Sequence, residues 1–317
     1  MKTATVELEE KPFAAENAAP LAIDLPAALT AREKFGAFVT LTKPRIALML
    51  VLTAAAGFYL GTANGGAFDS GLFFNAMLGI ALLAFGVATL NQYIERETDV
   101  LMTRTSRRPL PSKKLTAKQA LIFGVLLCAA AEIFLAIFVN PLTAILGLSV
   151  IVGYVLLYTP LKTKTTLSTV IGAFPGAMPP LMGWTAAANE ITVPAWVLFA
   201  ILFFWQFPHF LAIAWLYRHE YAKAGIQMLP VVEPSGRLTA QQIVVFSLLL
   251  LPISLAPFFV GLSGWIYLIG AALLGLWFVW QSARFAFDKS NAVAKSVLRV
   301  SIIYLPLLFL LAVLNKQ

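Results

Sequence analysis

Charge is scarce in this chain: 12% of its 317 residues are Asp, Glu, Lys or Arg, against 60% that are hydrophobic, and the mean hydropathy is +0.83. That excludes a water-soluble fold, which has no interior large enough to hide so much apolar surface, and makes lipid the solvent for much of the molecule. Cysteine is scarcer still. Cys128 stands alone inside an apolar run, so neither an intrachain disulfide nor a cysteine-built metal centre is available. The first 40 residues lack the apolar stretch of a signal peptide, and Glu7, Glu9, Glu10 and Glu16 are foreign to an organellar transit peptide. Residues 1–40 are therefore expected to form a flexible cytoplasmic arm. No repeat of 20–50 residues and no separate soluble domain is evident.

What is present is apolar length. Runs near 46–62, 72–92, 119–139, 142–159, 167–187, 195–217, 242–262, 265–283 and 300–314 stand out. Each reaches or approaches the about 20 helical residues that cross a hydrocarbon layer. Backbone groups in lipid must bond internally, and no run alternates like a barrel strand. The expected fold is all-α, with nine transmembrane helices over 41–317. Basic residues then alternate from side to side. All but one of the 23 Lys and Arg lie before residue 46 or in the segments 95–118, 160–166, 218–240 and 284–299, and the exception is Lys316. The positive-inside rule places the N-terminus and these loops in the cytoplasm and the C-terminus outside. The net charge of +8 is thus a topology signal and needs no nucleic-acid partner.

The second run ends in "NQYIERETDVLMTRTSRRPLP", residues 91–111. Asn91, Glu95 and Asp99 are spaced i, i+4, i+8, which on a helix makes one stripe drifting about 40° per step. Hard oxygen ligands of this kind suit Mg²⁺ together with substrate phosphates. Arg104, Arg107 and Arg108 follow, and guanidinium forks match phosphate oxygens. The bland alternative is a basic juxtamembrane loop with surface ion pairs. Placement of the acids on one helical face at a span end favours a diphosphate site.

Three further clusters support that choice. In "YTPLKTKT" (158–165), Tyr158 ends the fourth span, and Lys162 is placed to neutralise a leaving diphosphate; Lys164 reads as ordinary topology charge. In 203–230, Gln206 and His209 lie inside the sixth span around Pro208, with His219 and Glu220 at its end, mirroring Glu95 and Asp99. His209 is open to two readings: a ligand or catalytic group, or an interior histidine bonded to a carbonyl that Pro208 frees. Between them, "VIGAFPGAMPPLMGW" (170–184) is rich in Gly and Pro, which suits either a kinked span around a cavity or close helix packing.

These strings, with "LTKPRI" (41–46), resemble the UbiA-type intramembrane prenyltransferases over residues 38–315, and within them the branch that farnesylates protohaem. The resemblance implies nine helices around a central cavity with polar ligands at its cytoplasmic mouth, in a bacterial inner membrane. It implies Mg²⁺ as cofactor, held by Asn91, Glu95, Asp99 and Glu220. Farnesyl diphosphate and haem B are the implied substrates, joined to give haem O. Asn91, Glu95, Asp99 and Lys162 are the implied catalytic residues, and Arg45, Arg104, Arg108, Tyr158, Gln206 and His209 the substrate-binding ones. The bilayer is the implied medium, with contact to haem A synthase or terminal-oxidase assembly as a further partner. His219 stands where the family pattern has an acid, and Thr163 where many relatives have Arg. Two alternatives remain: a prenyltransferase of a quinone precursor, and a transporter. A transporter has no need of a carboxylate stripe and an arginine cluster on one side only.

Overall fold

The computed structural model describes residues 29–62 and 68–317, and these are almost wholly helical. In chain order the helices are α1 (Ala31–Leu41), α2 (Pro44–Gly61), α3 (Ser70–Val100), α4 (Ala117–Phe138), α5 (Pro141–Ile151), a π-helical segment (Val152–Tyr158) and α6 (Thr159–Leu161). There follow α7 (Ser168–Ala188), α8 (Val193–Leu216), α9 (Arg218–Lys223), α10 (Leu229–Val232), α11 (Arg237–Phe259), α12 (Trp265–Phe287) and α13 (Asn291–Leu314). Of the arm expected over residues 1–40, residues 1–28 lie outside the described residues, while Ala31–Leu41 is helix α1.

Helix starts follow the local sequence. Asp69 accepts from Leu72 N at 2.9 Å and Asn140 from Thr143 N at 2.8 Å, each satisfying a donor that the first turn leaves unpaired. Thr116 and Gln119 form a reciprocal capping box at α4. Pro44 and Pro141 occupy first-turn positions, where their missing N–H costs nothing.

Among the described residues eight helical runs are long and apolar enough to cross a membrane: α2, α3, α4, the continuous run Pro141–Leu161, α8, α11, α12 and α13. The ninth expected span is α7. It has the length, 21 residues, but Gly, Pro and Trp make it less apolar than the others. Its place explains this composition: 13 of its 21 residues are buried, and it packs on α2, α5 and α8. Lipid does not select its side chains; neighbouring helices do. Pro175, Pro179 and Pro180 sit within a continuous helix.

Close packing accounts for the glycines where α2 meets α7 and α3 meets α4. A Cβ on Gly57 would run into the Pro180 carbonyl, and one on Gly183 into the Ala54 carbonyl, so α2 and α7 meet backbone to backbone. Cys128 fills the notch at Gly86, which gives the lone cysteine a packing role between α3 and α4. Two apolar cores result. One is formed mainly by α8, α11, α12 and α13 around Tyr267, Phe278 and Tyr304, the other by α2 to α5 with α7 around Phe58, Ile80 and Leu135. The N-terminal end of α2 and the C-terminal ends of α3, α6 and α8 come together at one end of the bundle.

Gly183→Ala is expected to lower thermal stability in detergent by about 1–3 kcal/mol, since the helices must separate to admit a methyl group. Gly36→Ala on α1 meets nothing within 4 Å. It is expected to stabilise by roughly 0.5–1 kcal/mol through helix propensity. Equal melting temperatures for the two variants would contradict the backbone contact.

Candidate active site

The last three turns of α3 bring Asn91, Glu95 and Asp99 onto one face, with Asn91 and Asp99 only 1% exposed. Such groups at the end of an apolar helix need partners, and each finds one from a different segment. Lys43 donates to Asn91 Oδ1 at 3.0 Å. Lys162 Nζ meets Glu95 Oε1 at 2.5 Å. Arg108 Nη1 reaches both oxygens of Asp99, at 2.8 and 2.7 Å, and lies 4.0 Å from Glu95. Asn91 Nδ2 completes the set with a bond to Thr159 Oγ1 at 3.2 Å. Backbone contacts stiffen the frame: Gln92 donates to Leu41 O at 2.8 Å, and Gln227 N to Lys162 O at 2.7 Å.

Three cations thus face two carboxylates, and the surplus shows in their protonation. Burial, and then repulsion from Arg108, pushes the Lys43 ammonium down to about 7. Burial is the largest single influence on Lys162 and opposes its charge, but Glu95, Tyr158 and Tyr154 together hold the lysine above its ordinary range. Among the described residues Lys43 has no carboxylate at ion-pair distance, and an arriving anion would favour its charged form. Lys43 is also the residue with a left-handed backbone (φ 47°) directly before Pro44, a conformation disfavoured twice over. That strain aims its side chain at Asn91.

The π-helical turn sets the next wall. Its wider winding places Tyr154, Tyr158 and Lys162 along one side. The two rings meet edge to face at 4.9 Å, and Lys162 Nζ lies 4.2 Å from the Tyr158 ring centre and 6.0 Å from that of Tyr154. Thr159 Oγ1 returns a bond to Tyr154 O at 2.7 Å, so the residue that holds Asn91 also anchors this turn. Gly172 of α7 leaves the room that the Tyr158 ring occupies.

The other expected residues divide. Arg104 joins two loops: its N–H donates to Glu220 Oε2 at 3.2 Å, and its guanidinium lies 4.8 Å from the Tyr217 ring centre and 3.3 Å from Tyr221 OH. Glu220 is therefore at the same end of the bundle as the stripe, while His219 is exposed. Arg45 and Lys164 are exposed and join neither carboxylate. Gln206 is buried between α7 and α8, its amide donating to Ala173 O at 3.0 Å and Leu202 O at 3.2 Å. His209 faces α13, with Nδ1 2.8 Å from Ser301 Oγ. Sequence reasoning passed over Lys43, Tyr154 and Thr159. The signals were there in part: Lys43 precedes a proline two residues before the arginine that was chosen, and Tyr154 is spaced i, i+4, i+8 with Tyr158 and Lys162.

Among the described residues no three of His, Cys, Asp and Glu are gathered closely enough to hold a metal ion. The donor chemistry nevertheless fits Mg²⁺: Asn91, Glu95, Asp99 and Glu220 offer only hard oxygens, and the two α3 carboxylates are held by exchangeable cations. A cavity of about 420 Å³ lined by Arg96, Glu97, Val100, Leu110 and Lys113 contains none of these groups and is separate from the stripe.

The chain is 46% identical over 286 residues to a protein of Solibacter usitatus named protoheme IX farnesyltransferase, covering 88% of this chain and 98% of that one. It is 42% identical over 305 residues to a protein of the same name from Koribacter versatilis, covering 94% and 97%. In fold it is similar to a solved digeranylgeranylglyceryl phosphate synthase, with a TM-score of 0.75 at 18% identity over 89% of this chain and 98% of that one. It is also similar to a UbiA homologue from Archaeoglobus fulgidus bound to GPP and Mg²⁺, with a TM-score of 0.61 at 16% identity over 87% and 99%. The UbiA prenyltransferase family matches residues 50–305, and the chain belongs to that family.

Proposed function

We propose that this multi-pass membrane enzyme transfers the farnesyl group of farnesyl diphosphate to a vinyl group of haem B, giving haem O and diphosphate. The observation that carries the prenyl-transfer half is the set of half-buried cations, Lys43, Arg108 and Lys162, gathered around Asn91, Glu95 and Asp99 at one end of an apolar bundle. The acceptor is argued from the relatives named protoheme IX farnesyltransferase at 40–46% identity. The basic loops lie at the same end as the site, which supports a cytoplasmic mouth in a bacterial inner membrane.

Lys43, Arg108 and Lys162 bind the diphosphate and take up the negative charge that grows as its C1–O bond breaks. The electron pair leaves with the diphosphate, and C1 of the farnesyl group becomes an allylic cation. The terminal vinyl carbon of haem B bonds to C1, which moves the positive charge to the carbon next to the porphyrin. Water adds there and releases a proton, leaving the hydroxyl of haem O. Tyr154 and Tyr158 offer ring faces to the allylic cation beside the position where Lys162 already sits. The apolar walls keep water from C1 until the carbon–carbon bond has formed. Mg²⁺, when bound by Asn91, Glu95, Asp99 and Glu220, supplies further Lewis-acid neutralisation of the leaving group.

Purified protein incubated with haem B, farnesyl diphosphate and Mg²⁺ is expected to yield haem O by mass spectrometry. Prenylation of 4-hydroxybenzoate with haem B left intact would replace the acceptor proposed here. Glu95→Ala and Asp99→Ala should lose about 10²–10³ of kcat, the usual cost of one charge-stabilising group. Undiminished turnover in EDTA would remove the metal from the scheme. Lys43→Met is expected to lose at least about tenfold in kcat/KM, whereas Arg45→Met stays near wild type. The reverse order would return the site to the arginine.

A further inference from the structure

His209 lies in α8, seven residues, or about 10 Å, before that helix's last residue, Leu216. It belongs to none of the ion pairs at the mouth. Its ring is held on three sides. It stacks on Trp205 at 4.7 Å and 23°, meets Phe210 edge to face at 5.4 Å, and has Nδ1 2.8 Å from Ser301 Oγ on α13. Ser301 fixes Trp205 as well, accepting from its Nε1 through the backbone carbonyl at 2.9 Å.

The direction of the His209–Ser301 bond follows from the serine. A hydroxyl has one hydrogen, and that of Ser301 is given to Leu298 O at 2.7 Å. With that hydrogen on Leu298 O, Ser301 Oγ accepts from His209, whose Nδ1 then carries the proton. The neutral ring then has its lone pair on Nε2. Among the described residues Nε2 has no hydrogen-bond partner, yet it is not one of the fully buried unpartnered atoms, so it stays reachable. Nor does His209 bond a carbonyl freed by Pro208.

We infer that Ser301 is a positioning residue that locks His209 in the Nδ1–H tautomer, so that Nε2 can ligate the iron of the haem substrate. The inference rests on the haem-farnesylating reading above. A hydrogen bond accepted from the distal nitrogen raises the basicity of the ligating one and fixes the ring plane, the usual task of a group behind a metal-binding histidine. A polar cross-link serving only to join α8 and α13 would have no need to leave Nε2 bare.

The test uses full-length protein and haem B as the probe, read by Soret titration and by the iron–histidine stretch of the ferrous complex. Wild type should show a histidine-ligated haem, and His209→Ala should lose that signature. Ser301→Ala should bind haem B about 10-fold more weakly with a shifted stretch, the common cost of removing such a partner. Ser301→Thr keeps the hydroxyl and should restore both. Farnesyl diphosphate binding should stay within about twofold in all three. An unchanged stretch and affinity in Ser301→Ala, with only the melting temperature lowered, would overturn the pair while leaving haem O formation intact. Absence of haem O from the wild type would instead overturn the function on which the pair depends.

Discussion

A carboxylate at the end of an apolar helix cannot stay unpaired, and the site end of this bundle is built around that requirement. Glu95 and Asp99 extend from α3 where the chain leaves its apolar run, and their partners come from the segment after α3 and the end of α6. Lys43, from the start of α2, completes the ring through Asn91. The Glu95–Lys162 pair joins segments 67 residues apart, and the Asp99–Arg108 pair ties the loop after α3 back onto that helix. Breaking one would leave a poorly hydrated charge and loosen a junction together. Replacing one partner by another anion or cation would do neither. That asymmetry lets a stable apo arrangement double as a binding site for a charged substrate.

The geometry around the stripe serves the same end. A π-helical turn is an uncommon winding that gives up hydrogen-bond quality, and here it directs Tyr154 and Tyr158 toward Lys162. Lys43 holds a left-handed backbone before a proline to reach Asn91. Deeper in the bundle the chemistry changes: Gln206 and His209 make neutral hydrogen bonds to helix backbone and to Ser301. Around the site the ion pairs lie at the mouth, and the neutral polar groups Gln206 and His209 lie deeper in the bundle. This division matches a reaction in which an anion stays at the border while an apolar chain and a large acceptor meet below it.

Much of this was legible in the sequence because lipid imposes simple rules. Apolar length gave the spans, and the spacing of Asn91, Glu95 and Asp99 gave the stripe, since both depend only on helix geometry. What could not be read depended on tertiary contact. The resemblance points to Arg45 as a substrate-binding residue, but the turn at Pro44 points Lys43 inward and leaves Arg45 exposed. The sequence also does not show that the Gln206 amide is bonded to the backbone of α7 and α8. The Gly and Pro of α7 admitted two readings because glycine serves a kink or a close contact equally well, and only the neighbouring carbonyls of α2 decide between them.

The central claim is that Lys162 and Arg108, which hold Glu95 and Asp99 here, would pass to an arriving diphosphate and free the two acids to hold Mg²⁺. Calorimetric titration of farnesyl diphosphate at increasing Mg²⁺, and of Mg²⁺ at increasing farnesyl diphosphate, tests this most directly. The account predicts that each ligand tightens the other by the same factor, at least about fivefold, as linkage requires. Affinities that are independent of one another would contradict it.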